Sequence, residues 1–301
     1  MENRKSSNYI SRRQFIGNIM LATTSAALIS GCKSSLLTSD KTSSWQIGAY
    51  TRVWGGVNYR VALDGMAEAG YKFAGLSTHE KGRVVDRDTP PEVAVQVGEE
   101  IRKRGLELVT LSGGSHDVSK SLEEGIAGLK RLIDNAVHCG SPTIQINAIN
   151  NSDLEGPFYK AIAECCDYAA DKGVLITLKP HGNVGAYCLE QIKKVNHDNF
   201  KLWYDPGNVY HATHGETDPV NDAAGLNGYV VGMAVKDFRL PRNVNVTPGT
   251  GMVDFPELMA RLRQGGFTQG PLVVECVDPG DLAFLTSEAR KAREFLEKII
   301  S

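Results

Sequence analysis

Strand-like and helix-like runs alternate along this chain from Trp45 to Ser301. Strict alternation predicts a parallel sheet, because each helical connection returns the chain to the same edge. This region has 257 residues and eight such units, which matches the ~250 residues of a single (β/α)8 TIM barrel. No internal linker indicates a second domain. The eight strand-like runs are 45–50, 72–77, 106–111, 143–148, 174–182, 200–208, 230–238 and 270–278.

The last four strand-like runs share one pattern, in which an apolar strand leads into a charged residue and then a turn. The charged residues are Lys179, Asp205, Lys236 and Glu275. Because side chains alternate between the faces of a strand, we expect at least Lys179 and Glu275 to point into the barrel. At the strand ends such charges can lie in a solvated, polar mouth. Active sites of TIM barrels form at this end, so the pattern predicts the position of an active site.

The first 44 residues read as export signals rather than as part of the barrel. The segment SRRQFI (11–16) is a twin-arginine motif, and a modestly apolar stretch follows it. The segment ISGC (29–32) resembles a bacterial lipobox, whose cysteine, here Cys32, is acylated. We therefore predict a signal segment at 1–31, a flexible Ser/Thr/Lys-rich tether at 32–44 and the barrel at 45–301. The expected location is periplasmic or at the cell surface.

The net charge limits the possible binding partners, and the cysteine content indicates whether the chain forms disulfides. Residues 1–31 hold four of the 33 basic and one of the 35 acidic residues, which leaves the mature chain at about −5. This acidic balance argues against nucleic acid as a partner, and it leaves membrane attachment to the lipid. Five cysteines remain after Cys32, an odd number without a CxxC pair, and we expect them to be small buried hydrophobes.

Several motifs resemble the sugar phosphate isomerase/epimerase family of xylose isomerase-like TIM barrels. They are GYKFAG (70–75), YDPGN (204–208), AVKD (234–237) and the long run from Pro248 to Cys276. The resemblance implies a TIM barrel whose fifth, sixth, seventh and eighth strands end in Glu, Asp, His and Glu. In the family these four side chains bind a divalent metal that polarises a ketose, and the two glutamates relay a proton between neighbouring carbons.

This chain departs from the family at half of that site. Asp205 and Glu275 match the sixth- and eighth-strand ligands, whereas Lys179 takes the place of the fifth-strand glutamate and Ala234 that of the histidine. Two carboxylates hold a cation weakly unless a neighbour such as His181 joins them. We therefore expect either no metal or a weakly bound divalent one. The charges of Lys179, Asp205 and Glu275 sum to −1, as do those of the family site with its metal, so Lys179 is a candidate replacement for the metal.

The three charged residues suggest one chemistry and leave two alternatives open. Glu275 or Asp205 would remove a proton beside a carbonyl, and Lys179 would stabilise the oxyanion that forms. A Schiff base at Lys179 is a minority alternative, because two nearby carboxylates disfavour the neutral amine. The other alternative is an inert, salt-bridged remnant in a barrel that only binds sugar.

Five further polar residues are predicted to contact the substrate, each with a plainer alternative. His181 would act as an acid, a base or a sugar ligand, or only bond the turn. Asn208 would bind a hydroxyl or cap a helix. Lys236 and Asp237 would bind hydroxyls or pair with neighbours. His116 would reach the mouth from the third strand or lie in a surface loop.

The function predicted from the sequence is an exported carbohydrate enzyme. It would be an isomerase or epimerase, or else a lyase or dehydratase, acting on a small carbohydrate through a proton beside the carbonyl. The alternative is a non-catalytic sugar-binding lipoprotein of the same fold. We do not expect a phosphorylated substrate outside the cytosol, and oligomerisation stays open. An apurinic-site endonuclease is disfavoured by the lost metal ligands and the acidic charge.

Overall fold

A computed structural model describes residues 45–114 and 116–301 of the chain, and there it forms a closed eight-stranded barrel. Each strand pairs in parallel with the next, and β1 closes the barrel against β8. The predicted (β/α)8 TIM barrel is therefore confirmed. The strands are β1 (Trp45–Tyr50), β2 (Phe73–Leu76), β3 (Glu107–Leu111), β4 (Thr143–Asn147), β5 (Leu175–Lys179), β6 (Phe200–Tyr204), β7 (Val230–Val235) and β8 (Gly270–Val274).

Helices connect the strands. Two of them follow β6, and a short 3-10 turn, Thr51–Trp54, follows β1 directly. No helix in the described ranges is long and apolar enough to span a bilayer. The helices are α1 (Tyr59–Glu68), α2 (Pro91–Lys103), α3 (Leu122–Cys139), α4 (Ser152–Asp171), α5 (Gly185–Val195), α6 (Pro206–Ala212), α7 (Pro219–Ala223), α8 (Phe255–Gln264) and α9 (Leu282–Ile300).

The core has two parts, as alternation along the strands requires. Outward-facing residues pack beneath the helices in one large cluster, and a smaller apolar cluster fills the barrel. Trp203 is the largest member of the inner cluster and is fully buried. It fits because Gly232 faces it from β7, where any added Cβ would collide with the indole ring. This packed interior closes the barrel beneath the strand ends, so a ligand has access only above it.

The predicted role of the cysteines agrees with their positions. All five that the structure describes are free thiols in buried positions, in helices α3, α4 and α5 and two residues after β8. The predicted signal segment, tether and acylated Cys32 lie outside the described residues.

Candidate active site

Four charged side chains meet at the carboxyl ends of β5 to β8 and form what we call the ionic ring: Lys179, Asp205, Lys236 and Glu275. The Lys179 Nζ atom lies 3.2 Å from Asp205 Oδ2 and 2.8 Å from Glu275 Oε2. The Lys236 Nζ atom lies 3.0 Å from Asp205 Oδ2 and 2.9 Å from Glu275 Oε1. Each ammonium thus contacts both carboxylates, and the four groups close a cycle.

Strand geometry explains why these four residues converge. Lys179 ends β5, and the other three follow β6, β7 and β8 directly. The Asp205 carboxylate also caps α6, since its Oδ1 accepts the Asn208 backbone N–H at 2.9 Å. One carboxylate oxygen therefore fixes the start of a helix, while the other binds the two lysines.

The ionic ring is buried, so the expectation of a solvated mouth for these charges was wrong. Exposure is 4% for Lys179, 0% for Asp205, 2% for Lys236 and 5% for Glu275. Buried charges are tolerated when each is paired and hydrogen-bonded, and here every charge has two opposite partners. The sequence pattern located the strand ends correctly but did not show that the lysines shield the carboxylates from water.

Arg52 is a member of the site that the sequence analysis missed. It lies in the 3-10 turn after β1, and its Nη1 donates to Glu275 Oε1 at 3.0 Å. Its side chain is 37% exposed, unlike the ring. The ring is neutral, and Arg52 brings the site to +1. The earlier count of −1 omitted both Lys236 and Arg52. The position of Arg52, two residues after Tyr50, was the available indication in the sequence. Tyr50 points into the barrel, and residues two apart on a strand share a face.

Electrostatics keep two groups of the ring, the Glu275 carboxylate and the Lys236 ammonium, ionised. Burial alone would raise the pKa of Glu275, but Lys179, Lys236 and Arg52 outweigh it and hold that pKa well below its usual range. Burial would lower the pKa of Lys236, but Asp205 and Glu275 outweigh it and raise that pKa above its ordinary value. A neutral amine at Lys236 is therefore disfavoured. The alternative of a Schiff base at Lys179 stays a prediction.

A second buried polar group lies beside the ring. The Tyr50 hydroxyl donates to Gln145 Oε1 at 2.8 Å, across the barrel from β1 to β4. Burial, with the charges of Glu275 and Asp205, raises the pKa of Tyr50 well above its usual value. The phenol therefore stays neutral and adds no charge to the site.

Asn208 and Lys236, two of the residues predicted to contact the substrate, bind other protein groups in the structure. The Asn208 side chain donates to the Pro180 carbonyl at 2.7 Å and accepts from Lys236 Nζ at 3.1 Å. It therefore positions Lys236 within the ring. Lys236 itself, predicted as a hydroxyl ligand, has become part of the ring. Direct sugar contact by either residue stays a prediction.

Asp237 organises a loop at the same end of the barrel. Its two oxygens accept four backbone N–H groups, from Phe238, Gly249, Gly251 and Val253, at 2.8 to 3.0 Å. The carboxylate is fully buried. Because these four hydrogen bonds occupy its oxygens, Asp237 stabilises the turn before α8. The geometry does not support its predicted contact with the substrate.

The two predicted histidines differ in their surroundings. His181 is solvent-exposed at the ring, where partial desolvation and the ammonium groups of Lys179 and Lys236 lower its pKa. It is neutral at pH 7 and available to a ligand. His116 is buried, stacks on Phe158 with ring centroids 4.2 Å apart, and bonds its carbonyl at 2.9 Å. Burial lowers the pKa of His116 to about 4, so it packs against α4 as a neutral ring.

A cavity of about 550 Å³ opens beside the ring and is bordered by Arg52 and Glu275. Its volume lies within the range of small-molecule sites, ~300–1,000 Å³. Glu275 is the only carboxylate of the ring along its wall in the part of the chain that the structure describes. The remaining wall comes from residues 53–57, Asn245, 276–277, 279–282 and Leu285.

The donor set does not suit a divalent metal. Within residues 45–114 and 116–301, no group of three or more His, Cys, Asp or Glu side chains is arranged to hold one. Asp205 and Glu275 face two ammonium groups, which would have to leave before a cation could enter between the carboxylates. His181 adds one donor at most. The metal ligands suggested for this site, Asp205, Glu275 and His181, therefore do not form a closed set.

Comparisons with known proteins agree with the fold. A family profile described as a xylose isomerase-like TIM barrel matches residues 63–299. No curated protein matches the chain. Among solved structures, D-psicose 3-epimerase, studied in the presence of D-fructose, is similar with a TM-score of 0.68 and 15% identity, covering 85% of this chain and 99% of that one.

Two further structures show the range of similar proteins. The 3-keto-D-glucoside 4-epimerase YcjR from E. coli has a TM-score of 0.64 and 16% identity, covering 84% of this chain and 99% of its own. A xylose isomerase-like TIM barrel protein from Mycobacterium smegmatis in complex with magnesium has a TM-score of 0.68 and 15% identity, covering 86% and 99%. At these identities the likeness extends to the fold alone.

Proposed function

This chain belongs to the xylose isomerase-like TIM barrel family, and from that premise we propose that it is a sugar isomerase or epimerase working without a metal ion. One observation carries the proposal. Two carboxylates and two ammonium groups form a buried ring at the barrel mouth, beside a cavity of sugar-binding size. Fold alone does not give function, so the charges and position of this ring are what favour catalysis. The epimerase activities of two similar structures are compatible with it.

Glu275 is the proposed base because it borders the cavity, whereas Asp205 is fully buried and caps α6. Its carboxylate removes the proton from the carbon beside the carbonyl; the C–H electron pair forms a C=C bond, and the π electron pair of the carbonyl moves onto the carbonyl oxygen. The resulting enediolate oxygen accepts a hydrogen bond from Lys179. Return of the proton to the former carbonyl carbon, while the neighbouring hydroxyl proton passes to the former carbonyl oxygen, isomerises the sugar. Protonation of the original carbon on its opposite face, by an acid or a water molecule on that face, epimerises it.

The three cations explain how a carboxylate with a depressed pKa acts as a base. While Lys179, Lys236 and Arg52 all bind Glu275, the carboxylate is weakly basic. When the substrate oxygen takes over the hydrogen bond of Lys179, Glu275 loses one of these partners and becomes more basic. The same ammonium then stabilises the negative charge that develops on the substrate, the task that a metal performs in metal-dependent relatives.

The test is hydrogen exchange without metal. Purified full-length protein, treated with a chelator, is incubated in deuterated water with ketoses and with 3-keto-glycosides. We expect deuterium to enter the carbon beside the carbonyl, at a rate that added Mg²⁺ or Mn²⁺ leaves unchanged. Sugar binding without exchange on any of these compounds would support a sugar-binding protein instead. Stoichiometric metal that is needed for exchange would rule out the role of the lysines.

We further propose that the enzyme is exported by the twin-arginine route and anchored through an acylated Cys32. The support is the order of RR motif, apolar stretch and small residues before a cysteine. Expressed in a bacterium with this pathway, the chain is expected to incorporate labelled palmitate, and Cys32→Ser is expected to abolish the label. Replacing Arg12 and Arg13 together by Lys should retain the precursor in the cytosol. Unchanged labelling of the Cys32 variant would contradict the proposal.

A further inference from the structure

Arg52 has more hydrogen-bonding capacity than the described protein uses. A guanidinium carries five N–H donors. One contact of this group to an acceptor is present, from Nη1 to Glu275 Oε1, within the ranges that the structure describes. The side chain is more than a third exposed and forms part of the cavity wall. The remaining donors therefore have access to a ligand in the cavity.

The ionic ring holds no carboxylate in excess of its ammonium groups that would compensate this guanidinium. Glu275 is already balanced, because the ring holds two ammonium groups against two carboxylates. Asp281 is the other carboxylate on the wall, and its Oδ1 caps α9 by accepting the Phe284 N–H at 2.9 Å. That carboxylate faces the positive end of a helix rather than Arg52. The ring and Arg52 together therefore carry one net positive charge next to the proposed base, and the negative charge of Asp281 lies at the start of α9.

We propose that the substrate is a sugar acid whose carboxylate binds Arg52 while its carbonyl end reaches the ring. This inference rests on the proposed function and specifies its substrate class. A planar guanidinium matches a carboxylate through two parallel N–H···O bonds. An anion of charge −1 would also neutralise the charge of the ring and Arg52 together. Because Arg52 contacts Glu275 directly, a carboxylate bound there lies close to the carbon that reacts.

A carboxylate fits this site better than a phosphate does. A phosphate carries nearly two negative charges at pH 7 and three acceptor oxygens, and usually binds more than one cation or a set of backbone N–H groups. The glycine-rich turn at residues 249–251 could offer such backbone N–H groups. However, the N–H groups of Gly249 and Gly251 already donate to the Asp237 carboxylate. One free guanidinium remains, which matches one carboxylate.

The experiment measures binding, so it does not depend on turnover. Calorimetry with the full-length protein compares D-glucuronate and D-galacturonate with their uncharged methyl esters and with glucose 6-phosphate. We expect the uronates to bind more tightly than the esters. Arg52→Met should weaken uronate binding about 10- to 100-fold, as expected for loss of charge-assisted hydrogen bonds, and weaken ester binding much less, because the esters lose only neutral hydrogen bonds. Arg52→Lys should recover part of the preference for uronates over esters, since lysine keeps the positive charge but lacks the paired N–H donors of the guanidinium.

Arg239→Met is the matched control. It removes another partly exposed guanidinium, but one that is already paired with Asp278 at 2.8 Å. It should not change the preference for uronates over esters. If Arg52→Met weakens acids and esters equally, Arg52 serves Glu275 alone and the proposal fails. It fails likewise if the phosphate or the esters bind as tightly as the acids, or if no carboxylate binds. Hydrogen exchange on neutral ketoses would still test the proposed function separately.

Discussion

Replacing Glu275 by Gln is expected to slow deuterium exchange about 10²- to 10⁴-fold, the usual contribution of a positioned acid–base group. Glutamine keeps the size of the side chain and an oxygen that accepts from Lys179 or Arg52, but it cannot take the proton. Sugar binding should therefore persist while exchange is lost. Proton NMR of the substrate in deuterated water gives the rate, and calorimetry on the same sample gives the affinity.

Glu288→Gln is the matched control for this loss. Glu288 is another buried glutamate, 6% exposed, and it accepts from Thr247 Oγ1 and pairs with Lys291 on α9. It has no contact with the ring, so exchange in this variant should equal that of the wild type. Wild-type exchange in Glu275→Gln would show that another group removes the proton. Asp205→Asn would then be the next variant to measure.

The fold could be predicted because its determinants are local in sequence. Alternating apolar runs define strands, and the eightfold repeat with helices defines the barrel. The positions of Lys179, Asp205 and Glu275 at the mouth also follow locally, since each ends or directly follows a strand. For the same reason the sequence alone could name Lys179 and Ala234 as the positions where the resemblance implies a glutamate and a histidine.

The composition of the site could not be predicted in full, because it depends on contacts between distant strands. Arg52 and Glu275 are 223 residues apart, and nothing near either one indicates their pairing. Lys236 and Asp237 are adjacent, yet one enters the ring and the other turns to a loop. Alternation predicts opposite faces for such neighbours, but it does not reveal their partners. The charge of the site changed sign for this reason.

Lys236→Met is expected to lower the free energy of unfolding by about 3–5 kcal/mol, the range for breaking a buried ion pair on one side. Lys236 is 2% exposed and contacts Asp205, Glu275 and the Asn208 side chain. Methionine fills similar space but leaves two buried carboxylates to share Lys179 and Arg52. Urea denaturation at pH 7 measures the loss. A surface pair offers the contrast: Lys194→Met removes a lysine that is 55% exposed from its pair with Glu190, which is 62% exposed, and should cost far less stability than Lys236→Met.

The pH dependence of the stability lost in Lys236→Met shows whether the loss comes from the broken ion pairs or from poorer packing. Because the pKa of Glu275 is depressed in the fold, its stabilising contribution is present above the unfolded value of about 4.3 and is lost as the pH falls through the folded value. Without Lys236 that depression is smaller, so the gap between wild type and variant should narrow as the pH is lowered from about 5. Adding Asp205→Asn to Lys236→Met should recover part of the stability at pH 7, since one uncompensated carboxylate is removed. A gap that is constant with pH, with no recovery in the double variant, would assign the loss to packing and contradict the ionic ring as the source of stability.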